Sequence, residues 1–249
     1  MTNRIPLKLG KEPLIEAIWE IRFTGARSPV ADLLPGMLFK IFPGKYGTAV
    51  KLPAADIPSP VLEHDPNLKY VPKIRLQGEN QSIQIGDRLV ALSCRRPYSG
   101  WPRFSADIRE LAKAVQETGL VEQLKRFSLK YIDLIELEKP VGLAHLNLEL
   151  KMGGYDLAAE PVQLRTEIRE NDLIHIIQIS SPAEVVLPGR EERLKGVLVE
   201  IDCIRPLVDS QSWDVLYHDL DEVHASCKKM FFNILKPETI EALEPVFEG

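Results

Sequence analysis

Residues 13–23, PLIEAIWEIRF, alternate with a period of two: Ile15, Ala17, Trp19, Ile21 and Phe23 share one face, and Glu16, Glu20 and Arg22 share the other. That is the pattern of a strand with one face on a core and one in water, as antiparallel sheets have. Residues 124–137, LKRFSLKYIDLIEL, return to a strand pattern. Between the two lies a meander: Lys73–Gln77, a Gly78-Glu79-Asn80 turn, Gln81–Ile85, a Gly86-Asp87 turn and Arg88–Cys94. Both turns contain residues that tolerate positive φ.

Helical periodicity interrupts these strands twice. Residues 30–42, VADLLPGMLFKIF, read as a short helix that Pro35 and Gly36 should shorten or kink. Trp101–Glu117 places Phe104, Ile108, Leu111, Ala112 and Val115 on one side, with Ser99 as N-cap and Gly119 as a left-handed stop. Residues 43–72 hold Pro43, Pro53, Pro58, Pro60, Pro66 and Pro72, which break a regular donor ladder. They are expected to run as an irregular loop, either a partner-contacting segment or a plain surface excursion.

The second half opens with a short strand, Leu146–Lys151, stopped by Gly153-Gly154. A hairpin follows, with Val162, Leu164, Thr166 and Ile168 on one face and Gln163, Arg165, Glu167 and Arg169 on the other, turning at Asn171-Asp172 into LIHIIQI. After a strand over Gly196–Ile204 comes the longest helix, Ser212–Leu235, with Leu216, Leu220, Val223, Cys227, Met230 and Ile234 on its apolar stripe. Each half thus runs strand, hairpin, strand, helix, and Trp101 and Trp213 mark the two final helices. The expected fold is α+β: two antiparallel sheet-and-helix units, ferredoxin-like or related, over residues 1–139 and 140–249, with duplication as one account of the order.

A chain of 249 residues, 45% apolar and 27% charged, can bury a core without metals or disulfides, which excludes collagen, coiled coil, a disordered tail and a disulfide mini-scaffold. Charge is uneven: 21 Lys and Arg against 16 Asp and Glu in residues 1–139, and 10 against 20 in residues 140–249. A surplus of five cations is below what a dedicated nucleic-acid binder carries, and leaves room for a local basic patch. With no apolar run of signal-peptide or membrane-span length, the expected compartment is the cytoplasm, without membrane association. Cys94, Cys203 and Cys227, odd in number and set in apolar segments, read as reduced core thiols.

Motifs for chemistry are sparse. Pro43-Gly44-Lys45-Tyr46-Gly47-Thr48 lacks the order of a phosphate loop, and neither G-x-G-x-x-G nor G-x-S-x-G occurs. On the last helix Asp214, His218 and Glu222 follow one another at four-residue steps, a weak candidate for a divalent metal, and His224 lies three residues before Cys227. The most suggestive stretch is CRRPYSGWPRF, residues 94–104, which interleaves Arg95, Arg96 and Arg103 with Tyr98, Trp101 and Phe104 at a helix start. Guanidinium groups, free amides and rings there could hold an anion, a partner or single-stranded nucleic acid; equally, Trp101 and Phe104 could anchor the helix while the arginines are solvated.

Taken in order, PLIEAIWEIRF, RPYSGWPRF, KRFSLKYIDLIE, VEIDCIRP and LDEVHASCKKMFFNILKPETIEAL resemble a sporadically distributed bacterial family of uncharacterised proteins of about this length. Its pattern opens with P-[IL]-x-E-A-x-x-E-[IL]-R-F, matched at Pro13, Glu16, Glu20, Arg22 and Phe23. It continues with Y-x-G-W-x-x-F, matched at Tyr98, Gly100, Trp101 and Phe104. It closes with L-x-x-[LV]-H-x6-F, matched at Leu220, Val223, His224 and Phe231. In the L-R-Y-[IV]-N-x-[IV] strand, Lys130 and Asp133 stand where the family has Arg and Asn. The resemblance implies no activity and no catalytic residue; the patchy distribution implies mobile or defence-related genes.

The expected function is accordingly a binding or interaction module without catalysis, with no cofactor, another protein as partner, and Arg95, Arg96, Tyr98, Trp101 and Arg103 as its surface. Two other classes stand beside it. One is an RNA or single-stranded nucleic-acid binder whose tandem ferredoxin-like units would resemble CRISPR-associated repeat-RNA endonucleases, although their glycine-rich C-terminal loop is absent and the C-terminal half is acidic. The other is a metal-assisted enzyme using Asp214, His218 and Glu222.

Overall fold

The computed structural model describes residues 5–24, 29–66, 68–136, 142–187, 193–207 and 212–247. In chain order the elements are β1 (Lys8–Leu9), β2 (Leu14–Thr24), α1 (Val30–Ile41), β3 (Thr48–Lys51), α2 (Ser59–His64), β4 (Ile74–Gln77), β5 (Gln81–Ile85), β6 (Leu89–Arg95) and α3 (Trp101–Glu117). They continue with β7 (Gln123–Ile135), β8 (Lys151–Met152), β9 (Tyr155–Asp156), β10 (Val162–Glu170), β11 (Leu173–Val186), β12 (Arg193–Pro206), α4 (Ser212–Ile234), α5 (Pro237–Ala242) and β13 (Pro245–Val246).

The expectation of two ferredoxin-like units is overturned. Nine strands form one antiparallel sheet in the order β10-β11-β12-β7-β2-β6-β5-β4-β3, with two small two-stranded sheets beside it, and strands outweigh helices by 41% to 31% of the chain. A period of two reports which face of a strand is buried, and is silent on which strand takes its next row of donors and acceptors. Even β4, four residues long, pairs on both edges, with β3 and with β5, so neither the length nor the side-chain pattern of a strand stops the sheet at the four strands of a ferredoxin-like unit. The duplication reading falls with it.

By compactness the chain divides into Glu16–Leu129 with Ile204–Val223, here the meander unit, and Met1–Ile15 with Lys130–Cys203 and His224–Gly249, here the hairpin unit. The boundary expected at residues 139 and 140 lies outside the described residues.

In the meander unit the alternation of β2 is observed as expected: Ala17, Trp19, Ile21 and Phe23 are fully buried, and Glu16, Glu20 and Arg22 are half-buried on the other face. β6 lies antiparallel to it with Trp19 opposite Leu92 and Ile21 opposite Val90. Helix α3 buries Phe104, Ile108, Leu111, Ala112 and Val115, and α1 buries Val30, Ala31, Leu34 and Leu38. Pro35 stays inside α1, which runs on to Ile41. The N-cap of α3 is Gly100 rather than Ser99, and no side chain caps it. Gly86 has no positive φ; a Cβ there would meet the Val71 carbonyl oxygen at 2.4 Å, so the glycine serves close backbone approach rather than turn conformation.

Residues 43–72 are more regular than expected. Thr48–Lys51, proline-free and carrying the β-branched Thr48 and Val50, pairs as β3 with β4 at one edge of the sheet, and a 3-10 turn over Pro53–Asp56 and helix α2 follow. Prolines flank these elements or sit at helix starts, where a missing N–H costs little.

In the hairpin unit β10 and β11 pair in continuous register from Val162 opposite Ser181 to Glu170 opposite Leu173, closing at Asn171, whose φ is 53°. Leu146–Lys151 is not the strand expected: Leu146 makes an isolated bridge to Leu235, and only Lys151 and Met152 pair further on. The reading of three reduced thiols is also corrected. Cys203 of β12 and Cys227 of α4, with Cα atoms 5.9 Å apart, form a disulfide, while Cys94 is a free buried thiol. The buried His175 brings Nδ1 to 3.0 Å from the Cys203 sulfur, and His224 Nδ1 meets the Tyr131 hydroxyl at 2.8 Å. Among the described residues no helix is long and apolar enough to cross a membrane.

Candidate functional site

The meander unit carries a cleft of about 680 Å³, a size at which small ligands or side chains of a partner are held. Its walls come from the segment after α1, from the β4–β5 turn and from the start of α3. Phe42 and Tyr46 meet edge-on with centroids 6.2 Å apart, Gly44 turns the chain at φ +75°, and the Gly47 amide donates to the Gln77 carbonyl at 3.0 Å. These contacts hold Lys45 against α3.

At the back of the cleft is Asp107, only 5% exposed. Its Oδ1 accepts from Lys45 Nζ at 3.0 Å and its Oδ2 from Gln81 Nε2 at 2.8 Å, and Arg103 Nε approaches Oδ2 at 3.4 Å. Lys45 also reaches Glu110 at 3.4 Å. Burial alone would raise the Asp107 pKa, but the hydrogen bonds from Gln81 and Lys45 and the charges of Lys45 and Arg103 outweigh it and hold the carboxyl below its ordinary value. Burial, with Asp107 and Glu110 nearby, pushes the Tyr46 phenol well above its ordinary range. Near neutral pH the cleft therefore has a fixed carboxylate, a neutral phenol and two oriented cations. One of these, Arg103, is 67% exposed at the rim.

The five residues expected to share a surface are divided among different tasks. Arg103 lines the cleft together with Ser99. Arg95, at the end of β6, sits opposite Glu16 and approaches its carboxylate at 3.4 Å. Arg96 is half-buried in the segment leading to α3, and the Tyr98 ring lies edge-on to Phe104 at 5.9 Å. Trp101 Nε1 donates to Asp221 at 2.9 Å, and Arg109 reaches the same carboxylate at 2.7 Å, so Trp101 fastens α3 to the first half of α4. Asp214, His218 and Glu222 lie on the exposed face of α4, where His218 pairs with Asp219 at 2.7 Å. Among the described residues no group of three or more His, Cys, Asp or Glu side chains is placed to hold a metal ion.

Lys45, Tyr46, Gln81 and Asp107 were not legible as a site in the sequence. The one usable signal was Asp107 itself, an acid on the apolar stripe of α3 between Phe104 and Ile108, and four residues after Arg103.

Replacing Asp107 with asparagine is expected to cost about 1–3 kcal/mol at neutral pH, because part-buried donors lose a charged acceptor. Folding lowers this carboxyl's pKa, so its contribution is complete above the unfolded value of about 3.9 and is lost as pH falls through the lower folded value. The native chain should lose stability below about pH 4, and D107N should show a shallower loss there in melting temperatures taken against pH. Equal acid slopes would mean that the carboxylate is not held ionised.

No protein-family model matches the chain, and a search of curated proteins finds no significant match.

Proposed function

We propose that the chain is a non-catalytic interaction module whose meander unit receives an acidic segment of a partner protein at the cleft, with Arg103 at the rim and Arg95, Arg96, Tyr98 and Trp101 along the adjoining segment. The observation that carries this reading is the buried Asp107 holding Lys45, Gln81 and Arg103 in place on one wall. A cation oriented in advance by a buried carboxylate costs a ligand less ordering entropy than a free surface arginine, and the fork of a guanidinium fits a carboxylate. A carboxylate kept ionised and a phenol kept neutral are poor proton carriers near pH 7, which favours recognition over acid–base chemistry. The likeness to a sporadic bacterial family supports a partner encoded in the same mobile or defence-related context, met in the cytoplasm.

Co-purification from a native host at low salt, identifying bound protein and nucleic acid together, tests the reading. A defined acidic partner is expected, with capture weakened about tenfold or more by Arg103→Ala, the loss of one charge-assisted hydrogen bond. The melting temperature should hardly move, since the exposed Arg103–Asp107 pair stabilises by about 0.5 kcal/mol or less. Capture of nucleic acid in place of protein, or capture indifferent to Arg103, overturns the proposal.

A further inference from the structure

The strand order ends on β10, and among the described residues β11 is its only strand neighbour. Its nine residues, VQLRTEIRE, contain no Pro, Gly or Lys, and the register with β11 is unbroken by a bulge. Pro, Lys and bulges are usual devices by which a sheet edge is blunted against further pairing; the charges this edge does carry at its outward positions, Arg165, Glu167 and Arg169, alternate in sign.

The hairpin geometry says which backbone groups face outward. Glu170 and Leu173 close a two-residue turn and so form a hydrogen-bonded pair. Alternation then gives the N–H and C=O groups of Val162, Leu164, Thr166, Ile168 and Glu170 to β11. Those of Gln163, Arg165, Glu167 and Arg169 point to the open edge.

We propose that a second copy of this chain pairs with that edge, β10 against β10, antiparallel about a two-fold axis at Thr166. In this register Arg165 lies opposite the second copy's Glu167, Leu164 opposite Ile168, Gln163 opposite Arg169, and Thr166 opposite itself. The four outward residues of each copy fall in hydrogen-bonded pairs, giving about eight backbone bonds. No like charges are directly opposed, and Ile168, 40% exposed in the single chain, gains an apolar neighbour. Moving the axis to Arg165 or to Glu167 sets arginine on arginine or glutamate on glutamate. Moving it to Leu164 or Ile168 leaves only five residues of each strand paired. The self-complementary order of charges is what selects a second copy as the occupant.

Sedimentation or light scattering of the full chain over a range of concentrations tests this. The expected species is a dimer of twice 28.1 kDa. Arg165→Glu, and separately Glu167→Arg, should weaken association tenfold or more, and the two together should restore it; both side chains are exposed, so the fold is spared. Thr166→Cys should yield a covalent dimer on mild oxidation, because a non-hydrogen-bonded pair brings Cα atoms to about 4.5 Å. Glu167→Cys, which faces Arg165 rather than itself, should not. A monomer at all concentrations overturns the proposal, and so does a dimer that ignores the charge reversals or is not restored by the double change.

Discussion

Trp19→Ala is expected to cost about 3–5 kcal/mol, the range for deleting a buried aromatic ring, and to lower the melting temperature by about 10 °C or more in a chain of this size. Trp19 is fully buried on the core face of β2, opposite Leu92, and is the largest of the fully buried side chains. Its indole N–H is buried without a hydrogen-bond partner among the described residues. The native state therefore already bears the desolvation of that donor, about 1–3 kcal/mol. Trp19→Phe keeps most of the ring contacts and removes the unsatisfied group, so it should recover most of the loss that alanine incurs. Denaturant unfolding of the three proteins measures both differences. An equal loss from phenylalanine and alanine would show that the indole N–H is satisfied.

Trp19 also marks how far local pattern reaches. Its strand, the β4–β6 meander and the apolar stripes of α3 and α4 were readable because each buries one face, and burial imprints a period on the side chains. Neighbour relations leave no such imprint. Nothing in LKRFSLKYIDLIEL or in GVLVEIDCI states that β7 and β12 lie side by side in a nine-stranded sheet, since backbone groups are common to every residue. For the same reason Thr48–Lys51 carries no strand pattern: four residues of an edge strand, all exposed, have no buried face to show.

The cleft was hidden for a related cause. Lys45 and Asp107 are 62 residues apart and meet only because α1, the β4–β5 turn and α3 converge. Tested as a phosphate loop, PGKYGT fails, and the lysine at its centre has its partner on a helix far along the chain. The aromatic and arginine cluster of residues 94–104 was visible because it is local. Locality is also why it mixes roles, with Tyr98 and Trp101 packing the start of α3 while Arg103 faces the cleft. The Cys203–Cys227 disulfide follows the same logic, since strand and helix must dock before the two sulfurs are neighbours.

Gly196→Ala should be the most damaging single-methyl change in the hairpin unit, costing about 3 kcal/mol, at the upper end of what overpacking does. Gly196 is buried near the start of β12, and an added Cβ would lie 2.3 Å from the Ile135 carbonyl oxygen and 2.9 Å from its carbon. Both are backbone atoms of β7, so no rotamer change relieves the clash; the two strands must separate locally and give up ladder bonds where β7 ends. The φ of Gly196 is not positive, so the penalty is one of space and not of conformation. Gly36 supplies the opposite case. It is exposed inside α1 with nothing within 4 Å of an added Cβ, and Gly36→Ala should stabilise by about 0.5–1 kcal/mol through helix propensity. Thermal unfolding of both variants decides the matter by sign: a loss at 196 with a gain at 36 supports the close approach of β12 to β7. A gain at both positions would mean that the two backbones are not in contact there.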